Sequence, residues 1–357
     1  MRTSALLFLC AVLLSNLVRA ASTPSKALLV LSKGDHTLAI VDPSSLKVVA
    51  RMPSGPDPHE VIASSDGKFA YISNYGGGAY NTITIVDLVA QKSLTPVDLG
   101  PLRGPHGLEF AGGRVWFTAE AAKAIGSYDP TTKKVDWVLG TGQNRTHMIF
   151  VFEDLKHIIT SNVSSATMTI IEQTTVSGRG PSPGPGVPAR PETPNGPGTR
   201  GAIGMPRPDW EETVVPVGRG AEGFDVSPDG RQLWAANAQD GTISILDIAT
   251  KKVVQTLNAN VKSANRLKFT PDGKLVFVSS LKGSDIAIFD SATRDERKRV
   301  NVGHGAAGIL MHPDGSRVYV ACTPDDYVSI IDLQSLEVTG HLDAGKQPDG
   351  LAWAAQR

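Results

Sequence analysis

The sequence repeats a unit of about 42 residues seven times, and a repeat of this length restricts the chain to a propeller, a solenoid or an array. In every unit one position stands at the start of an apolar, strand-like segment. Its occupants are His59, His106, His147, Glu222, Asn265, Ala307 and Asp349. Successive members lie 47, 41, 75, 43, 42 and 42 residues apart, so the units share one register apart from a single long insertion.

Within each unit, short runs of β-branched and aromatic residues alternate with tight turns. Turns such as Pro228-Asp229-Gly230 separate segments such as RQLWAAN and TISILD. Short strands at even spacing, joined by Asp-Gly turns, are typical of four-stranded antiparallel blades. We therefore predict an all-β fold, a seven-bladed β-propeller that spans residues 26–355.

The two ends of the repeat region are each incomplete. The first unit supplies only three strands, and the last segment, DGLAWA, supplies one. We predict that the N- and C-terminal strands complete one blade together. This closure would remove the open sheet edges that otherwise promote aggregation.

The first residues have the pattern of an export signal. Arg2 precedes an apolar stretch from Ala5 to Val18, and Val18-Arg19-Ala20 has the small residues of a signal peptidase site. We predict that residues 1–20 are a cleaved signal peptide and that the mature protein is exported, to the periplasm or the extracellular space. An uncleaved anchor is the alternative, but the apolar stretch is short for a membrane span.

Residues 177–210 are dense in proline and glycine and carry almost no core-forming side chain. This composition predicts a disordered insertion within blade 4, between its third and fourth strands. The insertion is either a tolerated surface loop or a docking segment for a protein partner.

The charge balance argues against several classes of partner. Lys plus Arg and Asp plus Glu each number 35, so no net field favours nucleic acid or an anionic membrane surface. We expect no membrane association once the signal peptide is removed. The expected partner is a small molecule or a metal ion.

The repeated position predicts a functional site because the inner strands of a propeller line a central channel. Three imidazoles and a carboxylate, from His59, His106, His147 and Glu222, suit a divalent transition metal ion with an open coordination position. Glu120, in the same blade as His106, is a further metal ligand or a residue that orients one. His147 or His59 could also act as a general base. A polar, hydrated channel without any metal is the alternative explanation.

Other polar residues near the same mouth are candidate ligand-binding groups. Arginines there could hold an anionic group, whereas asparagines at strand ends often only hydrogen-bond the following turn. The candidates are Asp349, Asn265, Arg145, Arg219, Arg266, Asn74, Asn162 and Asn237.

Two family resemblances bear on function. The segments SPDGRQLWAANAQDGTISILDIATKKVVQTL and HPDGSRVYVACTPDDYVSIIDLQSLEV resemble the YVTN-repeat propellers related to YncE, over nearly all of the mature chain. That resemblance implies a propeller among exported proteins, some related to lactonases and oxidoreductases. The segment GPHGLEFAGGRVWFTAEAAKAIGSYD is similar to the repeat of streptogramin lyases, which implies funnel histidine and acidic residues acting with magnesium. Only His106 and Glu120 match that motif.

Two functions therefore remain open from the sequence. In the first, the propeller binds a small ligand or a divalent metal ion in its funnel. In the second, it is a metal-assisted lyase or lactonase, with Glu222 and Glu120 holding the metal. A protein-interaction scaffold is a third possibility, but an apolar face would favour that role and the repeated positions are polar.

Overall fold

The computed structural model describes residues 22–178 and 204–356. Over these residues seven antiparallel sheets are arranged as the blades of a ring, which confirms the predicted seven-bladed β-propeller. Helical structure in the same ranges is limited to two 3-10 turns, Gly76–Gly78 and Thr323–Asp325. No helix in the described part of the chain is long and apolar enough to cross a membrane.

Each blade contributes its innermost strand to the channel and its last strand to the outer surface. From the channel outward, the strands of the first four blades are Pro348–Ala355, Lys26–Ser32, Thr37–Asp42 and Lys47–Pro53 (blade 1); Pro58–Ala63, Phe69–Asn74, Thr82–Asp87 and the pair Lys92–Ser93 and Val97–Asp98 (blade 2); Pro105–Ala111, Arg114–Ala119, Ala124–Asp129 and Lys134–Gly140 (blade 3); Thr146–Val151, His157–Asn162, Thr167–Gly178 and Gly204–Pro216 (blade 4). Those of the other blades are Ala221–Val226, Gln232–Asn237, Thr242–Asp247 and Lys252–Asn258 (blade 5); Ala264–Phe269, Leu275–Ser280, Asp285–Asp290 and Glu296–Asn301 (blade 6); Ala306–Met311, Arg317–Cys322, Tyr327–Asp332 and Glu337–Leu342 (blade 7).

The core lies between neighbouring blades. The third strand of blade 5, TISILD, buries its four central residues, because both of its faces are covered by adjacent sheets. Its neighbour on the outside, KVVQTLN, alternates between exposed and half-buried residues. Large side chains such as Trp234, Phe277 and Tyr319 are fully buried in these interfaces.

The chain termini close the ring as predicted. The first described strand pairs antiparallel with the last, from Lys26 opposite Ala355 to Ser32 opposite Pro348. The closing strand therefore belongs to blade 1, and it also packs against the inner strands of blades 2 and 7.

The proline-rich segment interrupts the outer hairpin of blade 4. The third strand of this blade ends at Gly178 and the fourth begins at Gly204, so residues 204–210 belong to a strand rather than to a disordered insertion. The ring of Trp210 lies 5.1 Å from that of Trp137 in blade 3, which anchors this part of the strand. The rest of the predicted insertion, residues 179–203, and the predicted signal peptide, residues 1–20, lie outside the described residues.

A β-bulge near the start of each inner strand displaces the repeated position from the regular ladder. In blade 4, Thr146 pairs with Asn162 but Ile149 pairs with Thr160, and His147 lies in the irregular stretch between them. The same shift occurs in the other six blades. Bulges redirect side chains, and here they accompany the approach of all seven repeated residues to the channel.

Glycine follows the repeated residue in four blades and allows neighbouring inner strands to meet backbone against backbone. A Cβ atom on Gly308 would lie 2.2 Å from the carbonyl oxygen of Asp349 in blade 1. One on Gly350 would lie 2.5 Å from the carbonyl oxygen of His59 in blade 2. The close spacing of these inner strands keeps the channel between them narrow.

The Gly308→Ala variant should therefore be less stable than the unmodified protein by about 1–3 kcal/mol, because the added methyl group forces two backbones apart. Gly140→Ala is the matched control, since a Cβ there meets no atom within 4 Å. It should be neutral or slightly stabilising. Urea denaturation followed by circular dichroism measures both. Equal destabilisation by the two changes would show that the strands do not depend on this contact.

Candidate functional site

All seven repeated residues line one cavity of about 210 Å³ at one end of the channel, which we call the funnel cavity. The three histidines of the series come from adjacent blades and form a continuous row. The ring centroids of His59 and His106 lie 4.9 Å apart, and those of His106 and His147 only 3.8 Å apart. His106 and His147 are each only 3% exposed.

His147 lies between two carboxylates. Its Nδ1 atom contacts Oε1 of Glu120, and its Nε2 atom lies 2.7 Å from Oε2 of Glu222. Burial disfavours a charge on this imidazole, but the two carboxylates outweigh burial and raise the pKa of His147 above its ordinary value. Burial would also raise the pKa of Glu222, yet His147 and nearby arginines lower it to about 2.

The surroundings of His106 shift its pKa in the opposite direction to that of His147. Its Nδ1 atom is buried and has no hydrogen-bond partner among the described residues. Burial and the charges of His147 and His59 hold the pKa of His106 well below its ordinary value. An imidazole that favours its neutral form therefore lies against one that favours its protonated form, with the two rings tilted by 36°. Buried polar atoms without a partner often mark a place for an ion or a ligand.

Glu120 is held from three directions. Besides His147, it accepts a hydrogen bond of 2.5 Å from the Tyr75 hydroxyl and one of 3.4 Å from Nε of Arg145. Burial raises the pKa of Glu120, but its hydrogen bond and charge interaction with His147 have the larger combined effect and lower it. A carboxylate with this many donors is suited to orienting the imidazole that it contacts.

The candidate metal ligands separate into a compact group and an outlying residue. One ligand atom from each of His106, Glu120 and His147 lies within 4.8 Å of the others, and Glu222 adjoins His147. His59 is engaged elsewhere, because its Nε2 atom lies 3.0 Å from Nζ of Lys33. Two imidazoles with carboxylates are a donor set that fits a divalent transition metal ion.

Lys33 and Tyr75 belong to the cavity wall although sequence analysis did not select them. Nζ of Lys33 lies 3.3 Å from Oδ2 of Asp349 in its own blade and 3.0 Å from Nε2 of His59 in blade 2, so it bridges blades 1 and 2 at the funnel. Both residues directly follow the end of a second strand, as does Glu120. Sequence analysis therefore selected Glu120 at this place in blade 3, but in blade 2 it selected Asn74, one residue before Tyr75.

Three of the four asparagines predicted to bind ligand, those at strand ends, do not line the funnel cavity. They are fully buried and cap the hairpin between the second and third strands of their blades. Asn74 bonds to Thr82 and Thr84, Asn162 to Thr167 and Thr169, and Asn237 to Thr242 and Ser244. The local hydrogen bonding that favours asparagine at turns accounts for all three.

The three predicted arginines occupy different environments. Arg145 lies between the funnel carboxylates, 3.7 Å from Glu222. Arg266 is 11% exposed; its Nη2 atom pairs with Glu60 of blade 2, while its Nη1 atom is buried and unpartnered within the described ranges. Arg219 does not line the cavity: it is 74% exposed and pairs with Asp240. Asn265 and Asp349 do line it.

Comparisons with known proteins extend the description of the fold. No family model matches the sequence, and no curated protein matches it. Among solved structures, a functionally unknown protein from Desulfotomaculum acetoxidans is 12% identical with a TM-score of 0.68, over 90% of this chain and 98% of that one. A provisionally named 6-phosphogluconolactonase from Bacteroides uniformis is 14% identical with a TM-score of 0.68, over 92% and 99%. Hydrazine synthase from Kuenenia stuttgartiensis is 17% identical with a TM-score of 0.61, over 83% and 89%. At these identities the likeness establishes the propeller fold alone.

Proposed function

We propose that the funnel cavity binds a divalent transition metal ion through His106, His147 and Glu222, with Glu120 orienting His147. The observation that carries the proposal is that His106, whose Nδ1 atom is buried and unpartnered among the described residues, lies in one group with His147 and Glu120 whose ligand atoms are within 4.8 Å of one another, while Glu222 lies 2.7 Å from His147. Without an ion, the His106 nitrogen would remain desolvated and unbonded, which costs about 1–3 kcal/mol.

The same cavity has the features of a site for a small ligand that carries an oxyanion. Lys33, Arg145 and Arg266 all line it, and Nη1 of Arg266 is a buried donor without an acceptor among the described residues. A carboxylate or an ester oxygen would satisfy this donor. The volume of about 210 Å³ limits the ligand to a small molecule.

Lactone hydrolysis is a second candidate function, and the contrast between His106 and His147 favours it. The pKa of His106 is lowered and that of His147 is raised, so without a bound ion the pair favours a neutral imidazole on His106 beside a protonated one on His147. His59, the other base suggested by the sequence, is held by Lys33 and by Asp57 at 3.3 Å. With a divalent ion bound, His106 and His147 would be ligands rather than acid and base, and the ion itself would polarise the lactone carbonyl. A structure of similar fold carries a provisional lactonase name.

An exported setting remains part of the proposal. It rests on the predicted signal peptide at residues 1–20 and on the resemblance to YVTN-repeat propellers. A protein partner at residues 177–210 is a separate prediction, which pull-down with and without that segment would test.

Metal analysis tests the proposal. Protein prepared without a histidine tag should contain zinc, nickel or copper by elemental analysis, and calorimetry should show micromolar or tighter binding of these ions and weaker binding of magnesium. Because the metal must displace the proton of His147, affinity should rise with pH and fall about tenfold per pH unit below the pKa of that imidazole. If none of these ions binds at pH 7.5, the metal site is disproved.

Catalysis is tested separately on the metal-loaded protein. Release of acid from small lactones, and elimination from cyclic depsipeptides, should be followed by pH-stat and mass spectrometry. Turnover of lactones would support the hydrolase, and turnover of depsipeptides only would favour a lyase. Metal binding without either activity would leave the protein a metal and ligand binder.

A further inference from the structure

The inner strands continue past the funnel cavity and line a second cavity of about 350 Å³, which we call the lower chamber. Residues three positions beyond the repeated ones face it, a displacement of about 10 Å along a strand. Arg266 borders both cavities, and its ion pair with Glu60 joins blades 6 and 2 between them.

The charged residues of the lower chamber are paired except for one. Nζ of Lys268 lies 3.0 Å from Oδ1 of Asp225, whose other oxygen accepts a 2.9 Å hydrogen bond from a backbone N–H. Glu60 is paired with Arg266. Glu109 remains: within the described ranges its carboxyl group makes no hydrogen bond and no ion pair, although it lines the chamber.

The rest of the wall is largely apolar and aromatic. Phe110, Phe150, Leu310 and Trp353 line the same cavity as Glu109. The chamber therefore combines an apolar surface with one unpaired carboxyl group. An anionic ligand would find the Lys268 ammonium group already paired with Asp225 and the Arg266 guanidinium group already paired with Glu60, whereas a cationic ligand would gain an ion pair and contact with aromatic rings.

We propose that the lower chamber binds a small organic cation with an apolar body, such as a primary alkylammonium ion, whose ammonium group pairs with Glu109. The state of Glu109 in the free protein agrees with this assignment. Burial raises its pKa to about 7, with Lys268 opposing and Asp225 adding to the shift. An incoming ammonium group would supply Glu109 with the ion-pair partner that it lacks among the described residues, and would favour its ionised form.

Calorimetric titration with n-butylammonium tests the proposal. The intact protein should bind it, and Glu109→Gln should weaken binding at least tenfold without changing the metal affinity of the funnel cavity. His147→Ala, at the other end of the channel, should leave butylammonium binding unchanged. Butan-1-ol is the neutral control and should bind at least tenfold more weakly. Equal binding of the alcohol, or an unaltered affinity in Glu109→Gln, would overturn the proposal.

A measurement on the unmodified protein avoids any effect of substitution on folding. With a pKa near 7, Glu109 should release about half a proton when butylammonium binds at pH 7. The neighbouring charged groups, Lys268, Asp225, Glu60 and Arg266, are already ion-paired and should not contribute. Titration in two buffers of different ionisation enthalpy gives this number. Binding without proton release at pH 7 would contradict the assignment to Glu109.

Discussion

Removing residues 348–357 should leave a chain that no longer unfolds in one cooperative transition. The deletion takes the inner strand of blade 1, which pairs with the first described strand from Lys26 to Ser32. It also removes Trp353, whose ring packs 4.8 Å from His312 and 5.7 Å from Tyr319 in blade 7. The free energy contributed by these contacts is comparable with the whole free energy of unfolding of a typical protein, about 5–15 kcal/mol. Thermal melting and size-exclusion chromatography would show a broad transition and aggregation through the exposed edge.

A deletion of residues 180–202 is the control, although it removes more of the chain. The composition of this segment predicts disorder, and the free energy of loop closure changes slowly with loop length. The melting temperature should therefore remain close to that of the full chain. Comparable losses from the two deletions would mean that the proline-rich segment contributes to the fold.

Replacing His147 with alanine should reduce the affinity for zinc or nickel by more than about 100-fold. His147 contacts both carboxylates of the candidate metal group, and its removal leaves Glu120 and Glu222 with Arg145 but without the imidazole that lies between them. Glu120→Gln should have a smaller effect, about 10–100-fold, since an orienting carboxylate contributes less than a ligand. Isothermal titration at pH 7.5 measures all of these affinities.

Two other histidines separate a specific site from a general effect of histidine loss. His59→Ala should change metal affinity by less than tenfold, because this imidazole is engaged by Lys33 and Asp57. His304→Ala should have no effect, since His304 is exposed and pairs with Asp325 away from the funnel. If His59→Ala were as damaging as His147→Ala, all three imidazoles would share the ion, and the division of the site described above would be wrong.

The fold was accessible from the sequence because every blade repeats the same local pattern. Turn residues, strand periodicity and the incomplete first and last units each pointed to a closed ring, and the pairing of Lys26–Ser32 with Pro348–Ala355 confirms it. The convergence of His59, His106 and His147 followed from the same register, since equivalent residues of a circular repeat must occupy equivalent places around its axis.

The remaining parts of the site depend on details that a repeat pattern does not encode. In blades 1 and 2 the residue that faces the funnel is the one directly after the end of the second strand, so Lys33 and Tyr75 were missed and Asn74 was selected instead. The contact between Arg266 and Glu60 joins residues 206 positions apart in different blades. This contact forms only because the long side chain of Arg266 reaches a residue of another blade, and the identities of the two residues alone do not indicate that reach.

Arg266 lines both cavities, and its ion pair with Glu60 lies at the boundary between them. If that pair closes the passage, the funnel cavity has a single entrance. A molecule that enters past Lys33 and His59 must leave by the same route, so each occupant has to depart before the next can arrive. Ligand exchange at this site would then be sequential, and a second ligand bound at the entrance would block release of the first. Glu60→Ala would then remove the barrier and connect the funnel cavity with the lower chamber.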